Sequence, residues 1–435
     1  MLSIPAHSEW KDYAAWGKKY QSDLVSVRAF GHLTIVVNTR KACEDLFRRQ
    51  NYSDRPQLEI VNLLGWDWNT ALLAVTVFEP SVHAKVKETI TMMYDGPERF
   101  RDALRHAAGA VAMSVAYGYD VSPLEDKFLA IAEKSVHMLA TSTFLAAQAV
   151  NAFPKLKHLP EWFPGTQFLA FAKECRNLTA QMRNLPLEFV KRGMDNGTAR
   201  SSMSSEMLLA HDLKGSEKYK NGIVEDVAGI AFAAGADTTV SALATSILAL
   251  TMHPSVQRRT QAEIDSVVGR GRLPEYNERG SLPYVTAVCR EVLRWNPVAP
   301  LGSPRASIRN DAYDAWLIPA GKPLSLISRF HTFTAPARSM MMYNTWAILH
   351  DLDTYPDLER FYSERFLNED GTINDDEVDL TFRYGRRMCS GVHLANMMLW
   401  TVIASVLATF SISRTKDKHG ENMIYPSMFY ILAGS

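Results

Sequence analysis

The stretch FRYGRRMCSG, residues 382–391, decides the interpretation of this chain, and an apolar run with helical spacing follows it from Val392 to Trp400. Cys389 therefore lies near the predicted start of a helix. A helix N-terminus offers backbone N–H groups and the positive end of the helix dipole, so it stabilises a cysteine in its thiolate form. Thiolates bind metal ions and haem iron. The stretch predicts that Cys389 is a ligand.

The other residues of this stretch meet separate requirements of a haem-thiolate site. Gly391 allows backbone amides to approach the sulfur, and Gly385 can adopt the positive φ of a tight turn. Phe382 can shield the sulfur from water, and Arg387 carries a planar guanidinium suited to a propionate carboxylate. We therefore predict that residues 382–391 hold haem b, with Cys389 as the axial ligand of the iron.

Two other interpretations of Cys389 stay open on the sequence alone. An isolated cysteine at a helix start is more often a buried, inert residue. Cys389 and His393 also share a helix face four residues apart, which would suit a zinc ion. Zinc is the weaker interpretation, because the remaining cysteines, Cys43, Cys175 and Cys289, show no CxxC spacing.

A second unusual segment, AGIAFAAGADTT at residues 228–239, is almost wholly apolar and small, with one acid–alcohol pair at Asp237 and Thr238. A buried carboxylate costs several kcal/mol unless it is paired or functional. A threonine hydroxyl inside a helix tends to bind the carbonyl four residues earlier. The pair indicates either a mid-helix polar pair facing a water pocket or a functional site within a long helix.

Both segments resemble motifs of the cytochrome P-450 family, and they occur in the family's order. Residues 382–391 match its cysteine signature, and residues 228–239 match its oxygen-activation helix. The resemblance extends over nearly the whole chain. It resembles fungal microsomal members in particular, through residues 63–69, 159–165 and 294–300.

A third motif supports the resemblance. Glu291 and Arg294 lie three residues apart on one predicted helix face, which alone is a weak signal because exposed pairs of this kind are frequent. They match the family's Glu-x-x-Arg helix. Its partner in the family corresponds to Arg365 in SERF, residues 363–366, where serine replaces the usual proline. The resemblance implies that these three residues form a structural triad rather than a chemical site.

The resemblance implies a mainly α-helical fold with a small β-sheet, in a single domain over residues 1–435, with haem buried between the oxygen-activation helix and the cysteine loop. It implies that Ala234 and Gly235 leave room over the iron, and that Asp237 and Thr238 deliver protons to bound dioxygen. It places Arg305 at the second haem propionate, with a solvated surface arginine as the alternative. Independently, the alternating run at residues 24–37 predicts a hairpin of the small sheet.

The function implied by the resemblance is that of a haem-dependent monooxygenase in fungal secondary metabolism. Such an enzyme oxidises a lipophilic small molecule with dioxygen and with electrons from an NADPH-dependent cytochrome reductase. One alternative is a haem-thiolate isomerase or dehydratase, against which the intact Asp237–Thr238 pair argues, because that chemistry needs no dioxygen protonation. The other alternative is an inactive, haem-poor product of an incomplete gene model.

The composition of the chain indicates which kinds of partner and which cellular compartment to expect. The chain has 435 residues, of which 47% are hydrophobic, enough for a large globular core. Its formal net charge of +0 predicts no nucleic-acid partner, and four scattered cysteines fit a reducing compartment. We see no signal peptide and no uninterrupted apolar run of ~18 residues, so we expect no transmembrane segment in this chain. The family resemblance implies the cytosolic face of the endoplasmic reticulum, with possible peripheral membrane contact.

Two segments depart from the family pattern. Where the family has a Trp-x-x-x-Arg helix that binds a haem propionate and docks the reductase, residues 70–78 contain no Trp, Arg or Lys. Residues 322–338 are an extra segment, interpreted as retained intron sequence or as a loop insertion, since long structureless insertions are uncommon in compact domains. We therefore expect weak haem binding and poor reductase-driven turnover in the chain as it stands.

Overall fold

The computed structural model describes residues 8–29, 32–56, 58–66, 79–122, 126–142, 149–151, 153–214, 222–314, 316–320, 326–328, 331–333, 339–376, 378–382 and 384–414. Helices dominate this part of the chain, as predicted. They are α1 (Glu9–Tyr20), α2 (Arg40–Phe47), α3 (Glu59–Leu63), α4 (Glu79–Asp95), α5 (Phe100–Tyr117), α6 (Lys127–Ala140), α7 (Gln167–Asp195), α8 (Met203–Lys214), α9 (Ile223–Met252), α10 (Pro254–Val267), α11 (Pro283–Trp295), α12 (Thr345–Leu349) and α13 (Val392–Thr409).

The β-structure is small, which also agrees with the sequence prediction. The strands are β1 (Leu24–Ala29), β2 (His32–Val37), β3 (Arg305–Ala306), β4 (Asp311–Tyr313), β5 (Trp316–Ile318), β6 (Leu326–Ser328), β7 (His331–Phe333) and β8 (Met340–Tyr343). One sheet has the order β1-β2-β8-β3, and β4-β5 and β6-β7 are separate antiparallel pairs. β1 and β2 pair antiparallel over the predicted hairpin, whereas β2 and β8 are parallel.

Helix α9 connects two hydrophobic cores. Its first half, from Val224 to Ala233, is buried with α5, α6 and α7. Its second half, from Ala242 to Leu250, is buried with α4, α11 and α13. A helix can pass through two apolar regions because its backbone polar groups are satisfied within the helix. Residues between the two buried halves are therefore the part of α9 that neither core covers fully.

A buried ion pair fastens α11 to the segment around residue 360. The Glu291 carboxylate accepts hydrogen bonds from Nε and Nη2 of Arg294 at 2.7 and 2.9 Å, and both side chains are fully buried. Arg365 Nε lies 3.2 Å from the same carboxylate, and the Tyr362 amide donates to it at 2.9 Å. The structure thus brings together the three residues of the predicted triad.

The two departures from the family pattern fall mostly outside the described residues. All of residues 70–78 lies there, as do residues 321–325, 329–330 and 334–338. Within the second departure the structure describes only β6 and β7, which pair from Leu326↔Phe333 to Ser328↔His331. The origin of both departures and their expected effect on haem binding stay predictions.

Helices α9 and α13 are long and apolar enough to cross a membrane by length and composition alone. Neither helix is an uninterrupted apolar run, which is why the sequence predicted no transmembrane segment. Core helices of globular proteins pass the same test, and α13 is buried throughout from Met398 to Leu407. Packing therefore accounts for the apolar character of α13.

Replacing Glu291 with Leu should destabilise the fold strongly, because it leaves the guanidinium groups of Arg294 and Arg365 buried without their carboxylate. We expect the free energy of unfolding to fall by about 3–5 kcal/mol, measured by denaturant unfolding. The control is Glu44→Leu, which removes an exposed i,i+4 pair with Arg40 and should cost less than about 1 kcal/mol. Similar small losses in both variants would contradict a structural role for the triad.

Candidate active site

The cysteine loop, residues 382 and 384–391, closes through backbone hydrogen bonds. The Cys389 amide donates to the Phe382 carbonyl at 2.8 Å, and the Met388 amide donates to the Gly385 carbonyl at 3.1 Å. α13 begins at Val392 with Gly391 as its N-cap residue, so Cys389 does precede a helix N-terminus as predicted. Its thiol is free and half-buried. The interpretation of Cys389 as a fully buried, inert residue is therefore not supported.

Gly385 has φ +61°, which confirms the predicted positive φ. A second constraint, which the sequence alone does not reveal, also acts on Gly385. A Cβ added to Gly385 would lie 2.5 Å from the Phe47 carbonyl oxygen, so the end of α2 approaches the loop too closely for any side chain. Gly391 has an ordinary φ of −90°, and a Cβ there would lie 3.9 Å from Cys389 Sγ. Glycine at 391 thus leaves space beside the sulfur.

The two candidate propionate-binding arginines both donate hydrogen bonds to backbone carbonyls. Arg387 Nε donates to the Ser53 carbonyl at 2.8 Å. Arg305 is fully buried, and its Nη1 and Nη2 donate to the carbonyls of Phe47 and Tyr384 at 3.2 and 2.5 Å. The alternative of a solvated surface arginine at position 305 is therefore wrong. Arg305 connects the cysteine loop to the last residue of α2, and Arg387 connects it to the segment that follows α2.

Zinc binding finds no support in the described part of the chain. His393 is exposed, and no group of three or more His, Cys, Asp or Glu side chains there could hold a metal ion. A structural zinc site requires four ligands. Cys389 and His393 by themselves would not meet that requirement.

The acid–alcohol pair lies on an uncovered stretch of α9. Ala234, Asp237 and Thr238 are exposed, whereas Phe232 and Thr239 on the same helix are buried. Thr238 Oγ1 donates to the Ala234 carbonyl at 2.7 Å, which confirms the predicted bond to the carbonyl four residues earlier. These three residues line an open side of a helix that is otherwise packed in the protein interior.

Gly235 lies beside α5. A Cβ added to it would lie 3.4 Å from Cβ of Ala112 on α5, an ordinary contact distance. Packing between α5 and α9 therefore does not require glycine at this position. That Ala234 and Gly235 leave room over the haem iron stays a prediction.

The Asp237 carboxylate has an unusual electrostatic environment. Although solvent reaches its side chain, the protein atoms around it make the charged form less favourable, and this desolvation raises the pKa of Asp237. Arg105 on α5 and His137 on α6 oppose that effect. Neither residue belongs to a motif, so the sequence alone does not indicate them.

Comparison with known proteins gives one family. The family model described as Cytochrome P-450 matches residues 85–432. A cytochrome P-450 monooxygenase of Armillaria gallica is 34% identical over 94% of this chain and 82% of its own length. Tryptamine 4-monooxygenase of Psilocybe cyanescens is 32% identical over 99% of this chain and 86% of its own length. Cytochrome P-450 monooxygenase ple1 of Rhodocybe pseudopiperita is 33% identical over 97% of this chain and 82% of its own length.

Replacing Gly385 with Ala should disrupt the cysteine loop for two reasons, strain at positive φ and collision with the Phe47 carbonyl. A matched control is Gly371→Ala, since Gly371 has φ +84° and no atom within 4 Å of an added Cβ. The control measures backbone strain alone, about 1–2 kcal/mol. We expect Gly385→Ala to lose clearly more unfolding free energy than that in denaturant titrations. Equal losses of unfolding free energy in Gly385→Ala and Gly371→Ala would mean that α2 moves away from the cysteine loop at no cost in stability.

Proposed function

The chain belongs to the cytochrome P-450 family of haem-thiolate monooxygenases, and we propose that it oxidises a lipophilic small molecule with dioxygen and electrons from an NADPH-dependent cytochrome reductase. One observation carries the proposal. Helix α13, which begins directly after the cysteine loop, packs against α9, whose exposed stretch carries Asp237 and Thr238. The candidate ligand thiol thus lies in the loop just before a helix that contacts the helix of the candidate proton-delivery pair.

The residues of the cysteine loop fit the haem group. When bound, haem supplies the one-electron and dioxygen chemistry of the reaction. Cys389 would hold its iron, because the thiol is half-buried in the loop just before a helix N-terminus, where backbone N–H groups lack partners within the helix. Phe382, half-buried and packed against the larger core, would keep water from the sulfur. We place the haem between this loop and the open side of α9.

The two arginines would contribute differently. Arg387 uses Nε to bind the Ser53 carbonyl, and its Nη atoms would bind one propionate through charge-assisted hydrogen bonds. Arg305 already donates from both Nη atoms to carbonyls, so a propionate would have to share those donors. We propose that Arg305 acts mainly by holding the loop in place and by adding positive charge near the second propionate.

Asp237 and Thr238 would move protons. Desolvation raises the pKa of the Asp237 carboxyl, so it binds a proton more readily than an ordinary surface aspartate and can pass that proton on. Thr238 lies beside it on the exposed stretch, and its bond to the Ala234 carbonyl orients the hydroxyl. An isomerase or dehydratase would have no use for this pair, which favours the monooxygenase.

The relatives also bear on the substrate class of this enzyme. The relatives are fungal monooxygenases, and one is named for its action on tryptamine, a small organic molecule. We propose a small lipophilic substrate of secondary metabolism, no nucleic-acid partner, and a location at the cytosolic face of the endoplasmic reticulum with peripheral membrane contact.

Replacing Cys389 with Ser should abolish the red-shifted absorption band of the reduced, carbon monoxide-bound protein, because neither a hydroxyl nor water donates electrons as a thiolate does. Difference spectroscopy measures this directly. Cys289→Ser is the control: Cys289 is buried on α11, and the band should persist in that variant. A Cys389→Ser protein that keeps the band would refute the ligand assignment.

Replacing Thr238 with Ala should leave haem content unchanged but increase the hydrogen peroxide released per NADPH, because proton delivery is lost rather than haem binding. The assay uses the reductase and NADPH without added substrate. Thr251→Ala is a matched control, since Thr251 Oγ1 makes the same bond, to the Ile247 carbonyl at 2.7 Å, near the end of α9. We expect the Thr251→Ala control to release as much peroxide as the parent protein. Equal peroxide release from the parent, Thr238→Ala and Thr251→Ala would mean that another residue delivers the protons.

A further inference from the structure

The segment between α2 and α3 carries the carbonyl group to which Arg387 is bound. Arg387 Nε donates to the Ser53 carbonyl at 2.8 Å. The Nε and Nη atoms of a guanidinium lie in one rigid plane, so a hydrogen bond that fixes Nε restricts the directions in which the Nη atoms can donate. The position of the Ser53 carbonyl therefore influences where Arg387 can meet a haem propionate.

Hydrogen bonds join the residues on both sides of Ser53 to β3 and the residues after it. Before Ser53, the Asn51 side chain accepts from the Arg309 amide at 2.8 Å and donates to the Arg309 carbonyl at 2.9 Å. After Ser53, the Asp54 carbonyl accepts from the Ala306 amide at 2.9 Å. None of these bonds involves the cysteine loop. They therefore hold the backbone around Ser53 independently of that loop.

A side-chain hydrogen bond anchors the residue directly before Ser53. Tyr52 is fully buried, and its hydroxyl donates to Asp311 Oδ2 on β4 at 2.8 Å. Asp311 has contacts of its own, because Oδ1 accepts from the Ala312 amide at 2.9 Å and Arg49 Nη1 lies 3.1 and 3.0 Å from the two carboxylate oxygens. A hydrogen bond from a hydroxyl to a carboxylate is stronger than one between neutral groups. The bond between Tyr52 and Asp311 thus ties the position of Ser53 to β4.

The aromatic ring of Tyr52 has a separate set of contacts. It packs edge to face against the Phe47 ring, with the ring centroids 6.3 Å apart. Phe47 also accepts a hydrogen bond from Arg305 through its carbonyl, at 3.2 Å. Neither contact uses the Tyr52 hydroxyl. Replacing Tyr52 with Phe therefore removes the bond to Asp311 while the ring that packs against Phe47 is kept.

We propose that Tyr52 and Asp311 are positioning residues for haem binding: their hydrogen bond holds the Ser53 carbonyl where it accepts from Arg387 Nε, and so directs the Nη atoms of Arg387 to a propionate. This rests on the proposed function, in which Arg387 binds a haem propionate. Negative charge near haem iron stabilises its oxidised form, and hydrogen bonds from a cation compensate that charge. By placing Arg387, the pair raises the midpoint potential of the iron.

The first test measures the midpoint potential of the haem iron and the resonance Raman bands of the haem propionates. In Tyr52→Phe the potential should fall and the propionate bands should shift, because Arg387 no longer donates in a fixed direction. Tyr119→Phe is a matched control: the Tyr119 hydroxyl donates to Asp126 at the same distance, 2.8 Å, but Tyr119 packs against the other hydrophobic core. Its potential and bands should equal those of the parent. Parent-like values in Tyr52→Phe would overturn the positioning role.

The second test determines whether Tyr52 acts through Arg387. Arg387→Lys keeps a positive charge but lacks the planar guanidinium that joins the Ser53 carbonyl to a propionate. Adding Tyr52→Phe to Arg387→Lys should therefore shift the midpoint potential much less than Tyr52→Phe does in the parent protein. Equal shifts in the two backgrounds would mean that Tyr52 affects the haem by another route, and would overturn the positioning role.

Failure of this positioning role differs from failure of the proposed function. If Cys389→Ser abolishes the carbon monoxide band and Tyr52→Phe leaves the potential and the propionate bands unchanged, the role of Tyr52 is overturned and the proposed function stands. Parent-like propionate bands in both Arg387→Lys and Tyr52→Phe would overturn the assignment of Arg387 to a propionate, and the role of Tyr52 with it. A Cys389→Ser protein that keeps the band would overturn the haem-thiolate function itself.

Discussion

The packing of α9 against two separate hydrophobic cores is the constraint on which the site depends. Val224 to Ala233 belong to one core and Ala242 to Leu250 to the other, so each end of the helix is held by apolar burial. The stretch between them cannot shift without disturbing both cores, since protein interiors are densely packed. Ala234, Asp237 and Thr238 are thereby held rigidly on an uncovered side. A polar pair in an otherwise apolar helix is tolerated because neither core has to cover it.

The cysteine loop depends on a different kind of contact. The Phe47 carbonyl at the end of α2 lies against Gly385 and accepts a hydrogen bond from Arg305. The guanidinium of Arg305 also lies over the Phe47 ring, 4.9 Å from its centroid. A fully buried cation requires such compensation, because its desolvation costs several kcal/mol. The position of Cys389 is thus fixed partly by α2, more than 300 residues earlier in the chain.

Carboxylates have two different settings in this protein. Around Glu291, each carboxylate oxygen has donors from arginine or from a backbone amide, so both oxygens are satisfied and the arrangement is rigid. Asp237 is exposed to solvent, and desolvation by the surrounding protein atoms raises the pKa of its carboxyl. A carboxylate with all its hydrogen bonds made holds a structure together, whereas a carboxyl with a raised pKa takes up a proton more readily.

The sequence by itself determined the features that depend on residues close together in the chain. The positive φ of Gly385, the bond from Thr238 to the Ala234 carbonyl, the hairpin of β1 and β2, and the helix after Cys389 all follow from local patterns, and the structure confirms them. The joining of Arg365 to Glu291 was inferred from the family resemblance and is also observed.

Only the tertiary structure decided which distant residues meet. The burial of Arg305 against Phe47 joins positions 258 residues apart, and no local pattern distinguishes it from a solvated arginine. The contact of Gly235 with Ala112 and the electrostatic influence of Arg105 and His137 on the pKa of Asp237 likewise depend on how three helices pack. Periodicity predicts which face of a helix is apolar, but the neighbour of an exposed charge is set by the helix that packs beside it.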